Sequence, residues 1–504
     1  MRSLRFMIFV ALIAIIPCQV ASLTERVVID GEFNDWDHLT LLHTDPAGDQ
    51  ISGDIDFGGF WASFDRQYVF LSFRVGGKIN LQSSNQITMY VDTDANSHTG
   101  TPMDGIGVDL EWTFGSRSGR VREGLLWRDI RHGDIGLISA PTVTAGRFEI
   151  AIDHRAGLMT YRGRFPSPEW RLVMVDESGG DRIPDAGQVI AIVFDGSPMK
   201  SVEPIDLAKH DEDHVRILSY NVERDGIFDS DPARRRAFHA ILRAINPDII
   251  GFQEIEYHST LEIQAFVHNA LAPAWPRGFG SWFSARGLGL NNDIVLVSRY
   301  PIQEVYPLGG NSAFLVDLSP WYKHNLLLIV AHPPCCTNDI GRQWEIDAMM
   351  AFVRDAKEPG GVLDLEPDTP IVLMGDMNLV GDSRQLETLL TGDIVNTDEY
   401  GPPFEPDWDG TDFADLMPRH THLPMKFTWY NPDDYFWPGR LDYFIYSDAV
   451  VNVGNNFVLF TPSMPSRLLM PYGLRSDSAT RASDHLPVVC DLILPVRMRL
   501  HDIP

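Results

Sequence analysis

The sequence predicts an N-terminal all-β sandwich followed by a C-terminal α/β domain. At 504 residues the chain exceeds what one hydrophobic core usually supports. As far as residue 196, the apolar runs are short, β-rich and separated by Gly, Asp and Asn, with no amphipathic helix between them. The first of these strand candidates is Arg26-Val-Val-Ile29. From Val215 onward, similar runs alternate with helical patterns such as Pro232 to Ile245 and Asp339 to Arg354. This change of pattern marks a separate α/β domain.

Residues 1–22 have the three regions of a secretory signal peptide. Met1 to Arg5 is basic, Phe6 to Ile16 is apolar, and small residues follow near Ala21. An uncleaved membrane anchor is the alternative, but this apolar stretch is shorter than the roughly 20 residues that cross a bilayer. We therefore expect a secreted or periplasmic protein, with no stable membrane insertion once the signal has been removed.

The formal net charge is −28, from 69 acidic and 41 basic residues. Such an acidic surface repels polyphosphate chains and anionic lipid at long range unless divalent cations intervene. The charge disfavours a storage or scaffold role on nucleic acid. It leaves a nuclease open, since turnover needs only local contacts.

Beyond the signal, the cysteines are Cys335, Cys336 and Cys490. Three thiols exclude a disulfide framework. One bridge stays open, either between the two adjacent residues or from Cys490 to one of them. A structural role is favoured over a redox role, because no helix N-terminus or basic neighbour is evident to lower a thiol pKa.

The predicted accessory domain spans residues 24–196, and a charged, proline-containing linker spans residues 197–212. The loop Asp92-Thr-Asp94-Ala-Asn96 places alternate oxygen-bearing side chains after a strand, which can wrap Ca²⁺. A polar turn that caps its own backbone is the alternative. Together with Ile29-Asp-Gly-Glu-Phe-Asn-Asp-Trp36, this region resembles the family 9 carbohydrate-binding-like β-sandwiches. The resemblance implies an accessory domain, with carbohydrate as its candidate ligand.

In the predicted second domain, residues 213–495, short motifs of acid, amide and histidine lie at the ends of apolar runs. Because polar residues at strand ends lie at the rim of a sheet, we expect them to converge on one site for a divalent metal and a phosphate. The motifs are Tyr220-Asn221, Gln253-Glu254, Ala331-His332-Pro333, Gly375-Asp376-Met377-Asn378, Arg440-Leu441-Asp442-Tyr443 and Ser483-Asp484-His485.

Phosphodiester hydrolysis needs an activated water, neutralisation of charge on phosphorus, and stabilisation of the leaving oxygen. Glu254 is a hard oxygen ligand for Mg²⁺, and Asn221 and Asp484 are suited to complete or hydrogen-bond that shell. His485 is the candidate base, with Asp442 fixing its tautomer.

Asp376 and Asn378, two residues apart on an extended segment, point to the same side. We expect them to hold the nucleophilic water and a phosphate oxygen, and His332 to donate to the phosphate or leaving group. Taken singly, each residue is more often a hydrogen-bonded structural group than a catalyst. Their joint order favours the functional interpretation.

In that order, the motifs resemble the endonuclease/exonuclease/phosphatase superfamily, which has the DNase I-like fold. The resemblance covers about residues 213–495 and includes a strand candidate beginning at Asn292. It implies a four-layered α/β sandwich of two mixed sheets flanked by helices, and a site dependent on Mg²⁺, with Ca²⁺ and Mn²⁺ as alternatives. The implied metal residues are Asn221, Glu254 and Asp484, and the implied catalytic residues are His332, Asp376, Asn378, Asp442 and His485.

His332 brings the chain closer to the DNase I, sphingomyelinase and inositol-phosphatase branches, since abasic-site endonucleases usually have Tyr in this region. We expect a divalent-metal-dependent phosphodiesterase of nuclease type. A phosphatase or phospholipase C-type enzyme on lipid or sugar phosphates is the alternative, as is a binding protein that retains the fold. The segment from Tyr400 to Tyr435 is either a loop over the site or a rigid surface loop. The oligomeric state stays undetermined.

Overall fold

The computed structural model describes residues 26–156, 169–194, 198–271, 282–289 and 292–497. The predicted signal peptide, residues 1–22, lies outside these ranges. Among the helices in these ranges, none combines the length and the apolar character needed to span a bilayer.

The described N-terminal region consists mainly of antiparallel strands. Their bounds are β1 (Leu41–Thr44), β2 (Gly59–Phe64), β3 (Tyr68–Ile79), β4 (Ile87–Asp92), β5 (Thr101–Met103), β6 (Ile106–Val108), β7 (Leu110–Thr113), β8 (Ser118–Glu123), β9 (Leu126–Ile130), β10 (Ile138–Ala140), β11 (Ala145–Asp153), β12 (Glu169–Asp176), β13 (Arg182–Ile183) and β14 (Ile190–Val193), with a one-turn helix α1 (His132–Ile135) before β10.

Two sheets build this region, in the strand orders β1-β2-β3-β11-β10 and β13-β12-β4-β7-β8-β9, with β14 beside β12. Leu71 from the first sheet and Met89 and Trp170 from the second share one buried core. The predicted all-β sandwich is confirmed. The predicted strand over residues 26–29 is wrong, because only Ile29 forms a bridge, and its partner is Met425 of the C-terminal domain.

The sequence of strand β3 is a continuous apolar run, and the two cores on either side of the strand explain why. Val69, Leu71 and Phe73 point into the sandwich core, whereas Tyr68 and Phe70 join a core shared with the C-terminal domain. Successive residues of a strand face opposite sides. Both faces of β3 are therefore buried.

The C-terminal domain alternates strands with helices. Its strands are β15 (Val215–Asn221), β16 (Ile249–Gln253), β17 (Phe283–Arg286), β18 (Val295–Ser298), β19 (Ile302–Leu308), β20 (Asn311–Val316), β21 (Leu326–Ala331), β22 (Ile371–Asp376), β23 (Ala414–Leu416), β24 (Asp442–Tyr446), β25 (Asn452–Val458) and β26 (Val488–Ile493). Its helices are α2 (Pro232–Ile245), α3 (Thr260–Leu271), α4 (Asp339–Lys357), α5 (Arg384–Thr391), α6 (Thr397–Tyr400), α7 (Ser466–Leu469) and α8 (Ser478–Ala482).

These strands form two mixed sheets, in the orders β17-β18-β16-β15-β26-β25 and β19-β20-β21-β22-β24-β23. Ile217, Leu328 and Met374 lie in the core between the sheets. On the outer faces, Leu218 packs with the residues of α2 and α3, and Ile329 packs with those of α4. The layers run helix, sheet, sheet, helix, which confirms the predicted four-layered α/β sandwich.

The segment predicted as a linker packs against the C-terminal domain. Leu207 is 2% exposed, and its carbonyl accepts a hydrogen bond of 2.6 Å from the Arg216 guanidinium. The same guanidinium forms a two-point ion pair with Asp491, at 2.6 and 2.8 Å. A buried pair of this kind fixes geometry more than it adds stability.

Trp437 of the C-terminal domain lies inside the N-terminal core. The side chain is 1% exposed, packs edge-on against Trp112 and Phe114, and donates from Nε1 to Ser139 Oγ at 2.5 Å. The core of the N-terminal sandwich is therefore completed by a residue that lies more than 240 positions beyond its last strand.

We expect Trp437→Ala to destabilise the N-terminal domain by about 3–5 kcal/mol, because it leaves a large cavity and an unpaired Ser139 hydroxyl. Chemical denaturation followed by fluorescence measures this loss. Tyr435→Ala is the control, since Tyr435 is 65% exposed. Equal midpoints for the two variants contradict the role assigned to Trp437.

Candidate active site

The motif residues meet at one edge of the two central sheets. Asn221 ends β15 and Asp376 ends β22. Strand β24 runs antiparallel to β22 and begins with Asp442 directly opposite Asp376. Strand β26 likewise runs antiparallel to β15, so His485, which precedes β26, reaches the same edge. Strand direction thus decides which ends converge.

Gly375 allows β21 and β22 to approach closely at this edge. Its φ is +138°, and a Cβ there would lie 2.0 Å from the Ala331 carbonyl oxygen. No other residue fits without moving the backbone. The glycine therefore sets the relative positions of His332, which follows β21, and Asp376.

Asp376 is the centre of the site. Its carboxylate is 2% exposed, and Oδ2 accepts a hydrogen bond of 3.1 Å from Asn221 Nδ2. The same oxygen lies 3.6 Å from His332 Nε2 and 3.4 Å from His485 Nε2. Burial raises the pKa of Asp376, and the charge of Asp442 adds to this, while the two imidazoles oppose it.

His485 is held by Asp442. Its Nδ1 lies 2.9 Å from Asp442 Oδ2, and the Asp442 main-chain N–H donates to Thr428 Oγ1 at 2.8 Å. Burial lowers the pKa of His485, but the carboxylates of Asp442 and Asp376 outweigh it and raise that pKa to about 10. The geometry suits the orienting role predicted for Asp442, which stays a prediction.

His332 forms a second pair of this kind, with Asp293. Nδ1 of the imidazole lies 2.8 Å from Asp293 Oδ2, and the His332 main-chain N–H donates to Asn311 Oδ1 at 2.7 Å. Burial lowers the pKa of His332, but the bond with Asp293 and the charge of Asp376 raise it to about 9. The sequence motifs did not identify Asp293 as a site residue. The local feature that could have done so is the polar pair Asn292-Asp293 just before the apolar strand β18.

Glu254 and Asn221 lie beside Asp376. Asn221 Nδ2 donates to Glu254 Oε1 at 3.0 Å as well as to Asp376 Oδ2 at 3.1 Å. The other Glu254 oxygen accepts a bond of 2.8 Å from the Arg224 main-chain N–H. Carboxylate oxygens of Glu254 and Asp376 thus lie on either side of the Asn221 amide nitrogen, and hard oxygen ligands of this kind fit Mg²⁺, Mn²⁺ or Ca²⁺.

Asn378 turns back toward the site. Its φ is +52°, its main-chain N–H donates to Asp376 Oδ1 at 3.0 Å, and its side-chain amide donates to the Pro333 carbonyl at 3.0 Å. A non-glycine residue in the left-handed region is uncommon and is retained where surroundings impose it. Asn378 therefore links the Asp376 strand to the loop that carries His332.

Asp484 differs in its contacts from the other predicted metal residues. Its Oδ2 accepts a bond of 3.1 Å from Trp429 Nε1, and its carbonyl accepts one of 2.8 Å from the Tyr430 main-chain N–H. Both partners belong to the segment from Tyr400 to Tyr435. Part of that segment therefore supports the site wall, and the metal role of Asp484 stays a prediction.

The predicted calcium loop of the accessory domain acquires a residue from elsewhere in the chain. Carboxylate oxygens of Asp92, Asp94 and Asp109 lie within 4.8 Å of one another. Within the loop, Asp92 Oδ1 accepts from the Asn96 main-chain N–H at 3.1 Å, as a self-capping turn also requires. Calcium binding by Asp92, Asp94 and Asn96 stays a prediction.

The cysteines form no disulfide in the described residues. Cys335 and Cys336 are exposed and free next to the His332 loop, whereas Cys490 is free and buried. Cys490 lies in the core between the two central sheets. None of the bridges left open by the sequence is formed.

Two mixed sheets between helices, with acid and imidazole groups at a shared edge, define a DNase I-like four-layered sandwich. A sequence profile described as the Endonuclease/Exonuclease/phosphatase family matches residues 218–485. This match spans more than half of the 504 residues, and the chain belongs to that family. Enzymes of this description hydrolyse phosphoester bonds, which is the class of chemistry that membership supports.

Several solved structures resemble the chain. TDP2 of D. rerio, complexed with single strand DNA product, is 16% identical with a TM-score of 0.35, and the match covers 56% of this chain and 100% of that one. ANGEL2, a 2′,3′-cyclic phosphatase in complex with adenosine-2′,3′-vanadate, is 13% identical with a TM-score of 0.37, and the match covers 60% of this chain and 100% of that one. Beta toxin 275-280 from Staphylococcus aureus is 14% identical with a TM-score of 0.31, and the match covers 55% of this chain and 99% of that one. No curated protein matches the chain, and these likenesses carry no argument about its substrate.

We expect the metal-free protein to lose stability as pH rises from about 6.5 to about 10. Both histidines bind a proton more tightly when folded than at their usual pKa of 6.5, with folded values of about 9 and about 10. Their contribution is complete below the unfolded pKa and is lost as pH passes through the folded ones. Melting temperatures in EDTA across this range measure it.

Asp293→Asn provides the matched test of that dependence. Removing the Asp293 charge lowers the folded pKa of His332, so the loss near pH 9 moves to lower pH. Asp412→Asn, at an exposed position, leaves the profile unchanged. A flat profile in the unsubstituted protein contradicts the assignment of charged imidazoles.

Proposed function

We propose that the chain is a secreted, divalent-metal-dependent phosphodiesterase of nuclease type. The observation that carries the proposal is the pair of imidazole–carboxylate units, His332 with Asp293 and His485 with Asp442, that converge on Asp376. Two proton-carrying groups on either side of one buried carboxylate suit a reaction in which one oxygen attacks phosphorus and another leaves. Secretion rests on the pattern in residues 1–22.

In the proposed hydrolysis, side chains of the protein position the reactants and transfer the protons. Asp376 and Asn378 hold the attacking water and a phosphate oxygen. His485 takes the proton from that water at Nε2, while Asp442 keeps Nδ1 protonated and the ring in place. His332, oriented in the same way by Asp293, donates from Nε2 to the leaving oxygen.

Glu254 and Asn221 are the residues that hold the cation, supported by Asp484. A bound Mg²⁺, Mn²⁺ or Ca²⁺ supplies positive charge that polarises the phosphate and lowers the pKa of the neighbouring histidines. Asn221 already brings the Glu254 and Asp376 carboxylates together, with its Nδ2 at 3.0 and 3.1 Å from them. For Asn221 to bind a cation here, its amide must turn so that Oδ1, which now accepts from the Glu223 main-chain N–H at 3.0 Å, faces the two carboxylates.

Charge favours a diester over a monoester substrate. Among the described residues, the ion-pair partners of Glu254, Asp376 and Asp442 are histidines alone. A monoester carries a second negative charge, which usually calls for Arg or Lys clamps. A phosphatase or phospholipase C-type activity on small phosphates is the second candidate, favoured by the net charge of −28, which disfavours long polyanions.

We expect His485→Ala to lower turnover by about 10²- to 10⁴-fold, because it removes the proton acceptor. Turnover is measured with Mg²⁺, Mn²⁺ or Ca²⁺ on plasmid DNA, RNA, bis-p-nitrophenyl phosphate, sphingomyelin and inositol phosphates. His268→Ala is the control, since His268 is exposed on α3. Undiminished turnover by the His485 variant refutes its role, and the substrate class that is cleaved separates the two candidates.

We expect Glu254→Gln to raise the metal concentration for half-maximal turnover by at least about 10-fold, since an amide binds a hard cation more weakly than a carboxylate. The matched control is Glu256→Gln, two residues away and exposed. An unchanged metal concentration for half-maximal turnover in the Glu254 variant would show that other residues bind the cation. A folded protein that binds no cation and cleaves none of these substrates supports the binding-protein alternative.

A further inference from the structure

A second group of carboxylates lies in the N-terminal sandwich, away from the candidate active site. Asp45 follows β1 at the edge of one sheet, Asp49 lies in the loop after it, and Asp181 directly precedes β13 at the edge of the other sheet. One oxygen from each lies within 4.8 Å of the other two. Two oxygens bound to one Ca²⁺ at about 2.3–2.6 Å are separated by at most about 5 Å, so one ion spans the group.

The environment of the Asp45 carboxylate is a second, independent observation that favours a bound cation. The residue is 4% exposed and its side chain 0% exposed, yet neither carboxylate oxygen has a hydrogen-bond partner among the described residues. The nearest basic atom, His43 Nε2, lies 3.7 Å from Oδ1, beyond hydrogen-bond distance. A buried carboxylate without a partner is expensive, so native proteins rarely keep one.

The other two carboxylates are placed to receive an ion. Asp181 is held by the Phe57 and Arg182 main-chain N–H groups, which donate to its two oxygens at 2.5 and 2.6 Å. Asp49 is exposed, which gives an entry path from solvent. Ser52 Oγ donates to the Gly179 carbonyl at 2.9 Å, so the loops from the two sheets are already in contact.

The charges within the group repel one another. Burial, followed by the charges of Asp181 and Asp49, raises the pKa of Asp45 to about 7. Burial also raises the pKa of Asp181. Either a shared proton or a cation relieves this repulsion. Three acids around one point favour the cation, and Gln50 Oε1, next to Asp49 in the chain, is also buried without a partner.

We propose that Asp45, Asp49 and Asp181 bind a calcium-class divalent cation that ties the edges of the two sheets together. The ligands are oxygens only, which disfavours soft metals. They come from separate loops, and Ca²⁺ tolerates an irregular ligand geometry better than Mg²⁺, which demands a near-ideal octahedron. The ion adds a cross-link between β1 and β13, the two edge strands. Its role is structural and does not depend on the hydrolase activity.

The test uses the full chain stripped with EDTA and titrated with CaCl₂, followed by calorimetric titration and thermal melting. Asp49→Asn is the main variant, because an exposed side chain can be changed without disturbing packing. Asp54→Asn is the matched control, exposed in the same loop and outside the group. Asp45→Asn is the second variant. Variants are compared pairwise, so calcium bound by the Asp92 group or the active site cancels.

We expect calcium at 100 times its Kd to raise the melting temperature of the unsubstituted protein and of Asp54→Asn by about 5–10 °C. Asp49→Asn should lose most of this shift and bind one Ca²⁺ fewer. Asp45→Asn should lose the calcium-dependent shift of the melting temperature. In EDTA it should melt at a higher temperature than the unsubstituted protein, since the substitution removes the buried charge. Equal calcium stoichiometry in the unsubstituted protein and Asp49→Asn, or stability that follows pH and not calcium, overturns the proposal in favour of a shared proton.

Discussion

Burial of the Asp376 carboxylate is the constraint on which the catalytic edge depends. At 2% exposure this charge requires partners, and the surrounding residues supply an amide and two imidazoles. Each imidazole in turn needs a carboxylate to hold it, which explains Asp293 and Asp442. The same negative charges raise the pKa of both histidines to about 9 and about 10. The groups that stabilise this edge are thus the ones to which the proposed function assigns the phosphate.

The two domains share more than a linker. Trp437 fills the accessory core, Tyr68 and Phe70 of β3 join the core of the C-terminal domain, and Ile29 pairs with Met425. The loop that carries Trp437 follows Trp429 and Tyr430, which contact Asp484. The β-sandwich and the segment that forms the wall of the candidate site are therefore joined by buried contacts.

Much of the fold was predictable because its signals are local. Helix α2 begins at Pro232 after the capping side chain of Asp231, whose Oδ1 accepts from the Ala233 main-chain N–H at 2.8 Å. Apolar runs bounded by polar motifs identified β15 and β22. The predicted strand at residues 26–29 failed because Val27 and Ile29 are buried in a core shared by both domains, and this burial does not require pairing within a sheet. Sequence patterns did not predict three acidic residues, because their partners are not their neighbours in the chain. Asp293 pairs with His332, Asp109 lies with Asp92 and Asp94, and Asp181 lies with Asp45 and Asp49.

Apolar periodicity and strand-end motifs are properties of consecutive residues, so they predicted the class of both domains and the residue types at the catalytic edge. Which strand ends meet depends on how the strands pair and pack. The antiparallel register of β22 and β24 puts Asp442 opposite Asp376, and the packing of two sheets brings Asp293 to His332 and Asp181 to Asp45. These pairings depend on strand order and direction, which nonlocal hydrophobic burial selects and no local pattern records.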